Sequence, residues 1–202
     1  MAKVSVGLAV SVDGYIAGPN DGDPHPLGDG GSVLFDHYFG GDTQSRVFPR
    51  LTMSKVSADF FDRQVASVRA VVTGRRTYDI SNAWGGDSPV PGTALFILTH
   101  RPPADPPETT VPHTFVTDGI ESAIEQAKAV AGPDGTVSLA GSTPVQQALR
   151  AGLLDEFWIS MVPVLLGGGV RLFDHLGGPV RLEPTEVVEA PGVTHLGYRI
   201  PK

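Results

Sequence analysis

The fold is decided by the stretch Ala70-Val71-Val72-Thr73-Gly74-Arg75-Arg76-Thr77-Tyr78-Asp79-Ile80. Its apolar first half is typical of a buried strand, and its second half indicates the start of a helix. A glycine between them lets the backbone approach a ligand, and a helix start offers unpaired N–H groups to an anion. Cations at a helix start are mildly unfavourable, so the two arginines need an anion to explain them. The stretch therefore predicts a strand–turn–helix unit that binds phosphate.

A second turn of the same kind is Ala140-Gly141-Ser142-Thr143-Pro144, which follows the apolar run at 137–139. Here Thr143 is the expected helix cap, with Pro144 at the first helical position. Two anion-binding turns on a small domain predict a ligand with two separated phosphate groups, such as a dinucleotide.

The remaining pattern favours an α/β fold. Residues 4–12 alternate as a strand with one strongly apolar face, and residues 18–45, rich in Gly, Asp and Pro, indicate a long loop. A short helix is predicted by the spacing of Phe60, Phe61, Val65 and Val68. A later helix is expected to begin directly after Asp118, which would be its N-cap. Pro191-Gly192 suits a type II turn between two final strands. We expect a single domain over 1–202, with a mostly parallel sheet and an antiparallel C-terminal hairpin.

Composition narrows the function classes. The chain has 202 residues, no cysteine and a net charge of −7. These values exclude thiolate chemistry and argue against nucleic acid as the main partner. The histidines show no metal-ligand spacing, so no metal site is expected. No signal peptide or membrane-spanning run is apparent, and a cytoplasmic protein is the expectation.

Five motifs occur in order at residues 11–18, 74–77, 97–99, 140–142 and 162–167. Together they resemble the dihydrofolate reductase-like superfamily, above all the C-terminal reductase domain of the bifunctional riboflavin-biosynthesis deaminase-reductase. The resemblance extends from Val4 to Ile200. It implies a dihydrofolate reductase-like three-layer fold, NADPH as cofactor, hydride transfer to a small-molecule substrate, and a homodimer.

The resemblance also implies which residues contact the cofactor. Two turns would hold phosphates, one strand end would lie beside the adenosine 2′-phosphate, and two apolar residues would flank the nicotinamide. The residues of the two turns are Gly74, Arg75, Arg76 and Thr77 and, in the second turn, Ala140, Gly141, Ser142 and Thr143. The strand end beside the 2′-phosphate is Thr99, His100 and Arg101, and the residues that flank the nicotinamide are Ala9 and Ile16.

Two departures from the family concern the substrate. Riboflavin-pathway reductases carry a lysine where this chain has Gly7, and often an acid where it has Leu139. A phosphorylated pyrimidine would then lack charged partners, so the expected substrate is a small heterocyclic, carbonyl or imine compound. Asp13, in the turn after the first strand, and Asp59, near the family's carboxylate position, are the candidate catalytic residues. Trp84 is the candidate substrate contact.

Two alternative functions stay open at the level of sequence. The same fold could use a flavin or deazaflavin instead of NADPH. A non-catalytic nucleotide-binding module would also keep the phosphate turns while lacking an assignable acid.

Overall fold

An eight-stranded sheet forms the centre of the protein in a computed structural model that describes residues 2–202. The strands lie in the order β11-β12-β9-β1-β8-β5-β6-β7. β12 is antiparallel to the six parallel strands, and β11, which is antiparallel to β12, runs in the same direction as those six. Their bounds are β1 Lys3–Ser11, β5 Val68–Gly74, β6 Ala94–Leu98, β7 His113–Val116, β8 Thr136–Ala140, β9 Glu156–Val162, β11 Glu183–Ala190 and β12 Val193–Arg199. Four short strands lie outside it: β2 Tyr15–Ala17, β3 Thr43–Gln44, β4 Thr52–Met53 and β10 Val170–Arg171.

Helices cover both faces of the sheet. One face packs on α3 and α4, and the other on α1 and the first 3-10 helix. The bounds are α1 Lys55–Val65, α2 Arg75–Ile80, α3 Ile120–Ala131 and α4 Ser142–Arg150, with 3-10 helices at Gly31–Tyr38 and Asn82–Gly86. The predicted α/β class, its three layers and its mostly parallel sheet are confirmed. None of the helices in residues 2–202 has the length and apolar character needed to cross a bilayer.

Strand β1 shows how side-chain alternation positions the site. Val4, Val6 and Val10 are buried toward α3 and α4, as the period-two pattern predicts. The opposite face of the strand carries small residues, including Gly7 and Ala9. The absence of a side chain at Gly7 makes room for the Trp158 indole, and the middle of β1 lines a cavity on this face of the sheet.

Several element boundaries differ from the prediction. Residues 18–45 are not one loop, because they contain the 3-10 helix Gly31–Tyr38 and β3. Leu34 in that helix is fully buried, so tertiary packing orders a segment whose local sequence indicates a loop. Val68 starts β5 rather than ending α1.

The predicted helix caps were also wrong. The N-caps of α3 and α4 are Gly119 and Gly141, neither with a side-chain cap, so Asp118 and Thr143 do not cap these helices. Both glycines have positive φ, at 107° and 86°, which a threonine or aspartate adopts only at a cost. The final hairpin is confirmed: Ala190 pairs with Val193, and Gly192 has the positive φ that a type II turn requires.

Candidate active site

A single large cavity of about 1070 Å³ opens at the carboxyl-terminal edge of the parallel strands. Parallel α/β sheets place ligands outside these strand ends. The ends of β5, β6, β7 and β8 contribute to its wall, as do the middle of β1 and the segment after β2. Its volume is at the upper end of the range for small-molecule sites, about 300–1,000 Å³.

The two glycine turns meet on one side of this cavity because β5 and β8 are neighbours in the sheet. Thr73 Oγ1 donates a hydrogen bond to the Ala140 carbonyl oxygen at 3.2 Å, which ties the two strand ends together. A Cβ atom on Gly141 would lie 2.4 Å from Thr77 Oγ1, so only glycine permits this approach. The structure therefore brings both predicted phosphate turns to one wall.

The arginines of the first turn are held by carboxylates. Arg75 Nε donates to both carboxylate oxygens of Asp79 at 2.7 and 2.9 Å, and Arg75 Nη1 donates to the Arg101 carbonyl. Arg76 Nη2 pairs with the Asp21 carboxylate at 2.8 Å, so the segment after β2 closes over this turn. These pairs orient the guanidinium groups at the cavity wall without burying them.

Every residue predicted to contact the cofactor lines this cavity. Ala9 and Ile16 lie on its floor, and the turn and strand-end residues surround its rim; they are Gly74, Arg75, Arg76, Thr77, Thr99, His100, Arg101, Ala140, Gly141, Ser142 and Thr143. The geometry brings these residues together around one space, and their contact with a cofactor stays a prediction.

The other part of the lining is aromatic and apolar, and sequence reasoning missed most of it. Its residues are Phe35, Tyr38, Phe48, Leu51, Phe61 and Trp84. The rings of Tyr38 and Phe48 pack against Phe61, at centroid distances of 5.5 and 5.2 Å. The aromatic residues Phe35 and Tyr38 were the signal in the sequence that the predicted loop at 18–45 has a buried side.

Trp158 occupies the space beside Gly7. The two residues are register partners on β9 and β1, and a Cβ atom on Gly7 would lie 1.9 Å from the indole ring. Phe60 and Phe61 hold the indole edge-to-face, each at 5.6 Å. The position where riboflavin-pathway reductases carry their lysine is therefore closed by an aromatic ring.

Trp84 reaches the cavity from a left-handed turn. Residues 82–86 all have positive φ, between 48° and 87°, and three of them are not glycine. Such backbone costs roughly 1–2 kcal/mol for each non-glycine residue. The half-buried Trp84 lines the cavity and meets Tyr78 edge-to-face at 6.5 Å. Its placement agrees with the predicted substrate contact, which stays a prediction.

The structure does not bring the two candidate carboxylates to the cavity. Asp13 accepts hydrogen bonds from Ser11 Oγ and from the backbone N–H groups of Leu166 and Gly167. The bond from Ser11, followed by those from the two amides, lowers the pKa of Asp13 to about 2. A carboxylate that stays ionised and engaged in a turn is unsuited to donate a proton, and Asp13 does not line the cavity. These contacts favour a structural role for Asp13, and its catalytic role stays a prediction.

Asp59 lies on the solvent side of α1. Its carboxylate pairs with Lys55 one turn earlier at 2.7 Å, and its side chain is 54% exposed. Phe61 is the residue of this helix that lines the cavity. The helix therefore turns Asp59 away from the cavity, and its catalytic role stays a prediction that this geometry does not favour.

Buried Asp62 on the same helix has a structural role. It accepts hydrogen bonds from Ser45 Oγ, Arg46 N and Arg46 Nε. Burial alone would raise the pKa of Asp62, but these donors outweigh it and the pKa is lowered. The carboxylate fastens the segment after β3 to α1 and does not line the cavity.

Comparison with known proteins agrees with this fold and site. The sequence model described as the RibD C-terminal domain matches residues 2–196. The chain belongs to the RibD C-terminal domain family. The resemblance found in the sequence is thereby confirmed, and membership of this family supports a reductase-type activity.

Individual relatives are distant. The uncharacterized protein YwjB of Bacillus subtilis is 24% identical over 180 residues, which are 89% of this chain and 87% of that protein. A solved structure from Shewanella sp. PV-4, assigned to riboflavin biosynthesis, is 22% identical with full coverage of both chains and a TM-score of 0.69. Dihydrofolate reductase from Enterococcus faecalis, solved with NADP(H), is 13% identical, with 99% and 97% coverage and a TM-score of 0.58. Both structures share the fold of this chain.

Proposed function

We propose that the protein is an NADPH-dependent reductase that transfers hydride to a small, uncharged and planar carbonyl, imine or heterocyclic substrate. One observation carries the proposal: a single cavity is bounded by two phosphate-type turns on one side and an apolar aromatic wall on the other. A dinucleotide and a small second molecule would fit side by side in such a space.

The donor set fits NADPH. Arginine guanidinium groups suit phosphate oxygens, and the first turn and the end of β6 supply Arg75, Arg76 and Arg101. The N-terminal turn of α4 adds the hydroxyls of Ser142 and Thr143. When bound, the nicotinamide would supply the hydride, and Ala9 and Ile16 are placed to keep its ring away from water.

The lining also supports an uncharged substrate. Asp21 is the only carboxylate that lines the cavity within residues 2–202, and Arg76 already neutralises it. The aromatic part of the wall offers flat apolar surface, while Trp158 excludes a lysine from position 7. A substrate phosphate would find no partner there, so the phosphorylated pyrimidine of riboflavin synthesis should be a poor substrate.

Cofactor titration tests the proposal. We expect NADPH to bind more tightly than NADH, and Arg76→Ala to weaken NADPH by about ten- to a hundredfold while changing NADH little, because a charge-assisted bond contributes about 1.5–3 kcal/mol. Intrinsic fluorescence or calorimetry would give both dissociation constants. Arg69→Ala is the matched control, since that arginine bonds to the carbonyls of Ala66 and Val68 away from the cavity.

Other outcomes identify the alternatives. Equal affinities for the two nicotinamide cofactors would contradict the role of Arg76. Tight binding of a flavin or deazaflavin in place of NADPH would move the protein to the alternative reductase class. Cofactor binding without turnover of any compound in a screen of aldehydes, imines and heterocycles would favour the non-catalytic module. The homodimer implied by the family stays a prediction, which analytical ultracentrifugation tests.

A further inference from the structure

A chain of hydrogen-bonded side chains runs inward from Ser54, at the start of α1, toward the aromatic wall of the cavity. Ser54 Oγ donates to Ser57 Oγ at 3.1 Å, and Ser57 Oγ lies 2.9 Å from His195 Nε2. On the other side of the ring, His195 Nδ1 lies 2.9 Å from Ser160 Oγ. Ser160 also acts on the Tyr38 phenol, whose pKa it lowers against the effect of burial, and Tyr38 lines the cavity.

These residues come from four separate elements. Ser54 caps α1, Ser57 lies in its first turn, Ser160 is on β9, His195 on β12, and Tyr38 ends the first 3-10 helix. Ser54 is half-buried, whereas Ser57, Ser160 and His195 are at most 1% exposed. A buried polar row of this length is costly unless its members are hydrogen-bonded, and here Ser54, Ser57, His195 and Ser160 all are.

Only one assignment of donors and acceptors along this chain passes a proton toward the cavity. A neutral imidazole has one donor and one acceptor nitrogen. With the proton on Nδ1, His195 donates to Ser160 and accepts from Ser57, which accepts from Ser54 as its geometry shows. The Ser160 hydroxyl is then free to donate to the Tyr38 oxygen, and the phenolic O–H is free to point at a bound molecule.

We propose that Tyr38 is the proton donor of the reaction and that Ser160, His195, Ser57 and Ser54 form the path that reprotonates it. The inference rests on the proposed reductase function. A carbonyl carbon that accepts hydride gains two electrons as its C=O π bond breaks, and its oxygen takes the proton of the Tyr38 O–H. Each hydroxyl or ring nitrogen then gives its proton one step toward Tyr38, and Ser54 is resupplied by water. One hydride and one solvent proton convert the carbonyl into an alcohol as the nicotinamide is oxidised.

No other group along the lining serves this role as well. Asp21 is ion-paired with Arg76 on the phosphate side, and His100 follows the end of β6 beside Arg101. Tyr38 alone among the described lining residues combines an acidic O–H with a place on the aromatic wall. Burial raises the pKa of Tyr38 to about 12, so the phenol stays protonated at neutral pH.

The test uses the full-length protein with NADPH and 4-nitrobenzaldehyde, an uncharged planar carbonyl compound. General acids typically contribute 10²–10⁴-fold, so Tyr38→Phe should lower kcat by about a hundredfold or more while the Kd for NADPH stays within about twofold. His195→Phe keeps the parallel stacking on Phe60, seen at 4.6 Å, but interrupts the path, and should lower kcat by a smaller factor.

Two further readouts separate proton delivery from a structural role. In mixtures of H₂O and D₂O the wild type should show a curved dependence of kcat on deuterium content, because several protons move, and His195→Phe should make it linear. Without any substrate, nitrogen-15 NMR should find the His195 proton on Nδ1 and slow to exchange. Tyr78→Phe is the matched control, since it removes a buried phenol that bonds to His113 and does not line the cavity.

Each outcome decides something. Loss of kcat in Tyr38→Phe with intact cofactor binding supports the proposal, as does a linear deuterium dependence in His195→Phe. A kcat for Tyr38→Phe within about threefold of wild type would overturn the relay and leave the reductase function standing. NADPH binding without turnover of the aldehyde would overturn Tyr38 as a donor to uncharged carbonyls. Absence of NADPH binding by the wild type would overturn the proposed function and this inference together.

Discussion

Gly7 determines how the sheet packs beside the cavity. It leaves room for the Trp158 indole, and that ring closes the position where a substrate-phosphate lysine stands in riboflavin-pathway reductases. A change at residue 7 therefore alters both the packing of the sheet and the substrate side of the cavity.

Gly7→Ala should be strongly destabilising. The new methyl group would lie 1.9 Å from the indole, which Phe60 and Phe61 hold in place, so the ring cannot turn aside cheaply. Overpacking of this kind costs about 1–3 kcal/mol or more. Urea unfolding would measure the loss. Gly178→Ala is the control, because a methyl group there meets nothing within 4 Å; equal stabilities for the two variants would mean that Trp158 repacks freely.

His37 is a buried polar residue that lacks hydrogen-bond partners among the described residues. It is 8% exposed, and neither ring nitrogen has a hydrogen-bond partner among residues 2–202. Its ring lies 4.0 Å from the Tyr38 ring and 6.1 Å from His195. A buried polar group without a partner costs about 1–3 kcal/mol, so this side chain weakens the fold it helps to fill.

His37→Phe should therefore stabilise the protein by about 1–2 kcal/mol at pH 7.5, since a ring of similar size would replace two unsatisfied nitrogens. Thermal unfolding would report a higher Tm. His113→Phe is the contrasting variant, because that ring is bonded to Tyr78 and to the Asp87 carbonyl, and its loss should lower the Tm. A lower Tm for His37→Phe would show that His37 has a partner in solution.

Among the elements, the left-handed turn at residues 82–86 is the most strained. Gly85 and Gly86 share positive φ, but a methyl group on Gly85 would meet open space, whereas one on Gly86 would lie 2.7 Å from the Glu108 carbonyl oxygen. The turn places Trp84 on the cavity wall, so its strain is stored beside the site.

This difference predicts that substitution of Gly86 lowers the free energy of unfolding more than substitution of Gly85. Gly85→Ala should cost about 1–2 kcal/mol for backbone strain alone, and Gly86→Ala should cost more because strain and collision add. Urea unfolding measures both losses, and tryptophan fluorescence would show whether Trp84 moves. Equal losses would mean that the Glu108 segment yields to the new methyl group.

The same elements show what local sequence predicts. The strand–turn–helix unit at 70–80 and the final hairpin follow from residues close in the chain, and both were predicted. The 3-10 helix Gly31–Tyr38 was missed, because it is ordered by distant packing on β1 and β2 rather than by its own pattern. Asp59 was assigned to the site although the helix turns it outward, since a shift of two residues on α1 separates a solvent face from a cavity face.

At the scale of the whole molecule, the proposed site depends on contacts across the chain. Ser57 bonds to His195 across 138 residues, and Gly167 bonds to Asp13 across 154. A local motif does not reveal such pairs, so the two glycine turns could be predicted from sequence and the proposed Tyr38 path could not. The antiparallel addition of β12 to the parallel sheet is what carries His195 beneath the aromatic wall.

The buried histidines also set how the whole fold responds to acid. Burial lowers the pKa of both His37 and His195 to about 4, and for His195 the nearby His37 adds to the effect. In the unfolded chain both titrate near 6.5. The unfolded state therefore binds more protons between pH 6.5 and 4, and the free energy of unfolding must fall as the pH drops through that window.

We expect full stability above about pH 6.5 and a loss of roughly 2–3 kcal/mol for each histidine by pH 4, at about 1.4 kcal/mol per unit of pKa difference. The carboxylates with lowered pKa values, Asp13, Asp62 and Asp155, are ionised in both states through most of this window and begin to matter only near and below pH 4. Urea unfolding at half-unit pH steps from 7.5 to 4 measures how steeply the free energy of unfolding depends on pH.

His37→Phe should about halve this pH dependence, because His195 then remains as the main group whose protonation differs between the folded and unfolded states. A free energy of unfolding that stays flat down to pH 4.5 in the wild type would show that both imidazoles reach solvent, and a slope unchanged in His37→Phe would assign the acid sensitivity to His195 alone.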